Sequence, residues 1–362
     1  MGVIDCRIWQ TVHNRQTEAL LGLHQNPYPG PEGTTDGHMH AIQPLDLYLA
    51  RPGDAVAQMW RQWRHTDPVA SGFSGHPLMR TWLMLLGLVL LQGCSAIKLG
   101  YQQLPTLSYW WLDSTVSFNA TQTAATKQAL EHIHQWHRSE ELPAYADLLQ
   151  RVQTLSAGPV QTEQVCRVWA DVQIRLDVLM REAVVQAAPI AMALGPRQLS
   201  HMARRWEIQN EDWEKEWLQG SASERLERRL DKTLERYRSF YGELTPAQIG
   251  LVKAQLAQSP WSAEWGRQDR QRRQQDLLST LHGISQNKLS QTETETQLWG
   301  VWQRWLKPPE AGQRAVVQSL SQRACENLAQ LHNSASSEQR QQVMRRLRAY
   351  ERDIKDLVKS RP

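Results

Sequence analysis

From residue 119 onward the chain repeats one pattern, apolar side chains three or four positions apart with polar ones between them. Val165, Val168, Val172, Leu176 and Leu179 form one such stripe. Leu199, Met202, Trp206, Trp213 and Trp217 form a second, interrupted near Gln209 and Asn210. Leu226, Leu230, Leu234, Tyr237 and Tyr241 form a third, and Val316, Leu320, Ala324, Leu328 and Leu331 a fourth. The last, Val343, Leu347, Tyr350, Ile354 and Leu357, is close to a heptad seam. Each spacing gives a helix one apolar face, and no stretch alternates with the two-residue period of a strand. The pattern predicts an all-α fold, an elongated multi-helix bundle of amphipathic helices over 119–362.

The helix starts also share a form. In Leu244-Thr245-Pro246-Ala247-Gln248-Ile249, Thr245 is the N-cap and Pro246 stands where its missing N–H is harmless. Gln248 can reach back to the cap, while Leu244 and Ile249 make a hydrophobic staple. Leu194 to Leu199 repeats this with Gly195 as cap. Looser versions occur at Val160 to Val165, Phe118 to Gln122 and Ser336 to Gln339. Their spacing is too irregular for a solenoid.

One segment breaks the amphipathic pattern. Residues 79–94 read MRTWLMLLGLVLLQGC, with Arg80 ahead of an unbroken apolar run from Trp82 to Leu91. Such a run is too short for a bilayer core, which needs about 20 residues, but it fits the apolar region of a secretory signal. Leu91, Gln92 and Gly93 precede Cys94 as a signal-peptidase motif, which makes the Cys94 thiol the acceptor for a diacylglycerol. Gln92 departs from the small or branched residue usual at its place. A signal belongs at an N-terminus, so translation is expected to begin at Met79, with 1–78 a disordered upstream extension rich in Pro, Gly and His. His38 and His40 fall in that extension and carry no metal-site reading. The expected organisation is 79–93 signal peptide, 94–118 lipid-anchored tether and 119–362 helical domain. Of the other cysteines, Cys6 is lost with the extension. Cys166 and Cys325 remain, as a disulfide in an oxidising compartment or as two separate buried thiols.

Composition adds restraint. Over 362 residues the net charge is only +4, and no basic tract of the kind nucleic-acid binding needs is present. Arg270, Arg272 and Arg273 read as a solvated helix face. Trp is abundant (16) and Phe scarce (3), which suits either a bulky core or an aromatic-lined groove. Trp110 and Trp111 either plug the bundle end or sit at a membrane interface. Together with Trp206, Trp213 and Trp217 they are candidates for a surface that binds apolar segments, should they prove exposed in one groove.

Candidate chemistry is thin. His132, His134 and His137 share a helical segment with Glu140 and Glu141, and only 134 and 137 have the spacing to share a face. A solvated or capping role outweighs a metal site there. The sequence has no Walker loop, dinucleotide fingerprint, HExxH or G-x-S-x-G. The chain is expected to be no enzyme, with no cofactor and no metal. A hydrolase built on His134–Glu141 is the remaining catalytic reading, and it needs a deep pocket around those side chains.

At YWWLD (Tyr109 to Asp113), WHRSEELPAYADLLQ (Trp136 to Gln150) and the QR-x-x-V-x-x-x-L run from Gln339, the sequence resembles an uncharacterised family of proteobacterial lipoproteins. That resemblance extends over nearly everything from Cys94 onward. It implies lipidation, a helical fold and a start at Met79, and brings no activity. The Leu-Thr-Pro-Ala-Gln element at 244–248 and its relative at 194–198 resemble the LTxxQ motif of Spy and CpxP, periplasmic helical proteins. The expectation is a non-enzymatic lipoprotein on the inner leaflet of the outer membrane, since Ser95 replaces the Asp that commonly retains lipoproteins in the inner membrane. It would bind periplasmic protein partners or unfolded clients. A structural or assembly factor of the envelope is the alternative.

Overall fold

The computed structural model describes residues 96–360, and nothing in that range is a strand. The helices are α1 (Ala96–Val116), α2 (Ala120–Trp136), α3 (Leu142–Ser156), α4 (Thr162–Met192), α5 (Pro196–Trp217) and α6 (Ala222–Tyr241). They continue with α7 (Pro246–Ala257), α8 (Ala263–Asn287), α9 (Gln291–Leu306), α10 (Ala311–Asn333) and α11 (Ser337–Lys359). A π-helical stretch, His137–Glu141, joins α2 to α3. The fold is all-α, as the periodicity requires. None of the described helices is long and apolar enough to cross a membrane.

Two apolar cores hold the helices. In one, Val116, Ala191, Leu194, Leu199, Met202, Leu281 and Ile284 bring together the end of α1, the α4–α5 turn and α8. In the other, Leu230, Leu234, Tyr241, Val252, Leu331, Val343 and Leu347 bring together α6, α7, the end of α10, and α11. The longest packing seams lay α11 along α3, and α9 and α10 along α4.

What positions these elements is a device built from four helix starts. Gln122 and Gln198 face each other amide to amide, and so do Gln248 and Gln339. Each Oε1 accepts the N–H of its own helix cap, Asn119, Gly195, Thr245 or Ser336. Each Nε2 donates to the partner amide and to a carbonyl five positions before the partner glutamine, on Ala193, Ser117, Ser334 and Glu243 respectively. Every hydrogen-bonding site of the four amides is thereby used. The α1–α2 turn is locked to the α4–α5 turn, and the α6–α7 turn to the α10–α11 turn.

The pattern extends along the helices. Seven positions before each glutamine stand Thr115, Ala191, Tyr241 and His332, and four after stand Thr126, Met202, Val252 and Val343; all eight are buried. Glutamine is needed here because a glutamate has no N–H to donate, and a pair of glutamates would bring two carboxylates face to face. Glutamate does occupy the equivalent capping position at Glu224 and Glu293, where the helix start is exposed and the carboxylate caps Ser221 or Ser290.

Two expectations change. The segment 94–118 is no loose tether: from Ala96 it is α1, packed against α2 and α5. Pro105 lies inside that helix and removes the N–H that would bond to the Tyr101 carbonyl. His134 Nε2 takes that carbonyl instead, at 3.0 Å, and so lets the helix run through. The second change is in α10. Ala324 and Leu328 of the predicted stripe face outward, and the buried face is Val317, Cys325, Ala329, Leu331 and His332. The bonds made by Cys325 and His332 fix the helix about its axis, and these polar or small residues carry no weight in an apolar count.

Candidate functional site

Helix α4, at 31 residues, is the longest of the described helices, and one of its faces is only partly covered. Ile174, Val185 and Met192 are exposed. At about 100° per residue, offsets of 11 and 18 return to the same side, so the three share one face. Arg167 and Arg181 fall on it too, and the Arg181 guanidinium lies 4.0 Å above the Trp299 ring of α9. At the N-terminal end of this face is an open depression of about 280 Å³ lined by Thr162, Glu163, Cys166, Arg167, Ala170 and Gln322. One of its lining residues, Cys166, belongs to a disulfide. Cys166 of α4 and Cys325 of α10 are joined, with Cα atoms 5.4 Å apart. Cys325 is buried, whereas Cys166 is half-buried and borders the depression. An apolar stripe interrupted by guanidinium groups, on a helix stapled to its neighbour, can receive an apolar segment carrying carboxylates.

The histidine segment has a different job. His132 is exposed and pairs with Glu182 at 3.1 Å. His134 and His137 instead converge on Tyr101 of α1. His134 donates to its carbonyl, and His137 Nδ1 lies 3.0 Å from its hydroxyl. Burial, reinforced by the neighbouring His134, pushes His137 from 6.5 down to about 4. Burial likewise lowers His134, and it raises Tyr145, whose ring stands edge-on to His137, to about 12. These groups serve the packing of α1 on α2 through the π-helical turn. Glu141 ends that turn, buried, with Oε1 3.4 Å from Arg175 and Oε2 without a hydrogen-bond partner. Burial raises its pKa, with Arg175 opposing. The described residues include no group of three or more His, Cys, Asp or Glu side chains arranged to hold a metal.

The tryptophans do not line one groove. Trp217 is buried, stacked on Trp213 at 6.3 Å and edge-on to Trp261 at 5.9 Å. Gly266 makes room for this cluster: a Cβ there would stand 3.0 Å from Trp261 and 3.3 Å from Trp213. Trp206 packs against the core that includes Leu199 and Ile284. Trp111 is half-buried, and of the five candidates only Trp110 is exposed. The arginine cluster is also not a solvated face. Arg272 and Arg273 clamp a buried Asp269 at 2.7 and 2.6 Å, and Arg270 bonds Asn210 at 2.6 Å. Sequence pattern missed this because an Arg-rich run looks alike whether it meets solvent or one buried carboxylate. Leu91, Gln92, Gly93 and Cys94 lie outside the described residues, as does the segment 1–78.

Residues 114–301, more than half of the chain, match a family of unknown function, DUF6279. The chain belongs to that family. The matched span starts at the end of α1 and stops within α9, so it is shorter than the resemblance drawn from Cys94 onward. No curated protein and no solved structure matches the chain.

Proposed function

We propose that this chain is an envelope lipoprotein, acylated at Cys94, that binds periplasmic protein partners or unfolded clients through the outer face of α4 and carries out no reaction of its own. The reading joins the lipidation motif at 91–94 to a helical body. The observation that carries it is the exposure of Ile174, Val185 and Met192 on one side of a helix held in place by the Cys166–Cys325 bond. A rigid helix spends little entropy on binding, and basic groups beside an apolar stripe favour acidic, partly unfolded segments. Ser95 directs the lipoprotein to the inner leaflet of the outer membrane, facing the periplasm.

The test is suppression of client aggregation by the membrane-extracted full chain, compared with the triple variant Ile174→Asp, Val185→Asp, Met192→Asp. All three side chains are exposed, so the variant should fold. Suppression at stoichiometric amounts by the parent, lost in the variant, is the expected result. No suppression by the parent rejects the client reading; crosslinking in cells that then captures one dominant partner on α4 identifies an assembly factor instead.

A further inference from the structure

We infer that α1 lies flat on the membrane surface and inserts Leu99 and Trp110 among the lipid headgroups, an inference that rests on the lipidation of Cys94 proposed above. The chain length between anchor and helix is the first reason. Only Ser95 separates Cys94 from Ala96, where α1 begins, and two residues reach about 7 Å even when extended. The first turn of α1 is therefore held at the headgroup layer whatever its tilt. The second reason is the character of the helix face. Between Lys98 and Asp113, α1 carries no ionisable acid or base apart from tyrosine phenols. Leu99, Gln103, Thr106 and Trp110 are all exposed, and their spacing puts them on one side. Leu99 and Trp110 are each 49% exposed, and about 16 Å of helix separates them.

An upright α1 would leave that uncharged, Trp-bearing strip in water. A flat one places Trp110 where its amphipathic ring is favoured and costs no desolvated charge. The opposite side of α1 packs on α2 and α5, so the helix is presented as a unit with the body behind it. Lys98 is tied to Asp356 at 3.0 Å, which leaves apolar contact as the main source of adhesion.

The test places an environment-sensitive dye at Thr106→Cys in the full chain, reconstituted in phosphatidylethanolamine–phosphatidylglycerol vesicles containing nitroxide-labelled lipid. A dye at Thr296→Cys, exposed on α9, is the reference. The expected result is several-fold stronger quenching at 106 than at 296. Leu99→Asp with Trp110→Asp should bring the two together while the protein still floats with the vesicles. Equal quenching in the parent overturns the flat orientation and leaves the lipoprotein reading intact. A protein that does not float and has an unmodified Cys94 removes both. Shielding of the 106 dye that appears in detergent and grows with protein concentration shows a second copy on this face, and also overturns the inference.

Discussion

The two glutamine interlocks share one hydrogen-bond scheme but sit in different surroundings. In the α6–α7/α10–α11 interlock both Gln248 and Gln339 are buried, and the positions seven residues back are Tyr241 and His332. Those two are bonded, hydroxyl to Nδ1 at 3.0 Å, and His332 Nε2 donates to the Gly158 carbonyl of the α3–α4 turn at 3.0 Å. In the α1–α2/α4–α5 interlock Gln198 is half-exposed, and the corresponding positions hold the small Thr115 and Ala191. The backbone device is the same, while the degree of burial and the polar network behind it differ. Since a hydrogen bond gains strength as water is excluded, the Gln248–Gln339 interlock should be the stronger.

The largest expected effect comes from cutting the covalent link between the helices that lead into the two interlocks. The disulfide joins α4, which leads into one interlock, to α10, which leads into the other, across a separation of 159 residues. Loss of a crosslink closing so long a loop destabilises by about 5 kcal/mol in the chain-entropy treatment. Urea unfolding of Cys166→Ser with Cys325→Ser should resolve into two transitions where the oxidised parent shows one. Next in size, Gln248→Ala strands the buried Gln339 amide and removes the partner of the Thr245 N–H and of the Ser334 carbonyl, and should cost about 3 kcal/mol. Gln198→Ala, at a wetter site, should cost about 1 kcal/mol by the same measurement. Equal losses at the two sites would mean that burial does not distinguish them.

Acid should weaken the interlock that His332 backs. Burial lowers the pKa of His332, so the unfolded chain takes up its proton first. The stability this residue supplies is present above its unfolded value of 6.5 and is lost as pH falls below it. His137, lowered to about 4, acts in the same direction through α1 and α2. A melting profile against pH should therefore fall from 6.5 toward 4, less steeply in His332→Gln or His137→Gln. The smallest effect concerns Glu141, which has the opposite sign. Its pKa is raised, so its contribution is complete below the unfolded value and is lost as pH rises through the folded one. Glu141→Gln should raise the melting temperature at about pH 8 and leave it unchanged at about pH 4. A decrease at the higher pH would show that the Arg175 contact outweighs desolvation.

Much of this architecture could be read from the chain. The stripe from Leu226 to Tyr241 and the seam from Val343 to Leu357 supply buried residues where periodicity puts them, because those helices each pack one simple face. The four paired helix starts were visible as capping elements, since capping is local chemistry. Their pairing was not, because Gln122 finds Gln198 76 positions away and nothing in either helix start names its partner. The same limit applies to the candidate site. Exposure of Ile174, Val185 and Met192 depends on which helices cover α4, and their side chains look like core residues in sequence. His134 illustrates a third case: its role follows from Pro105, a missing donor on a different helix.

Mass spectrometry of the N-terminal peptide, on protein extracted from its native membrane, is the decisive measurement. A peptide beginning at Cys94 and carrying the mass of a diacylglycerol is the predicted result. An uncut chain with an unmodified thiol at that position would contradict it.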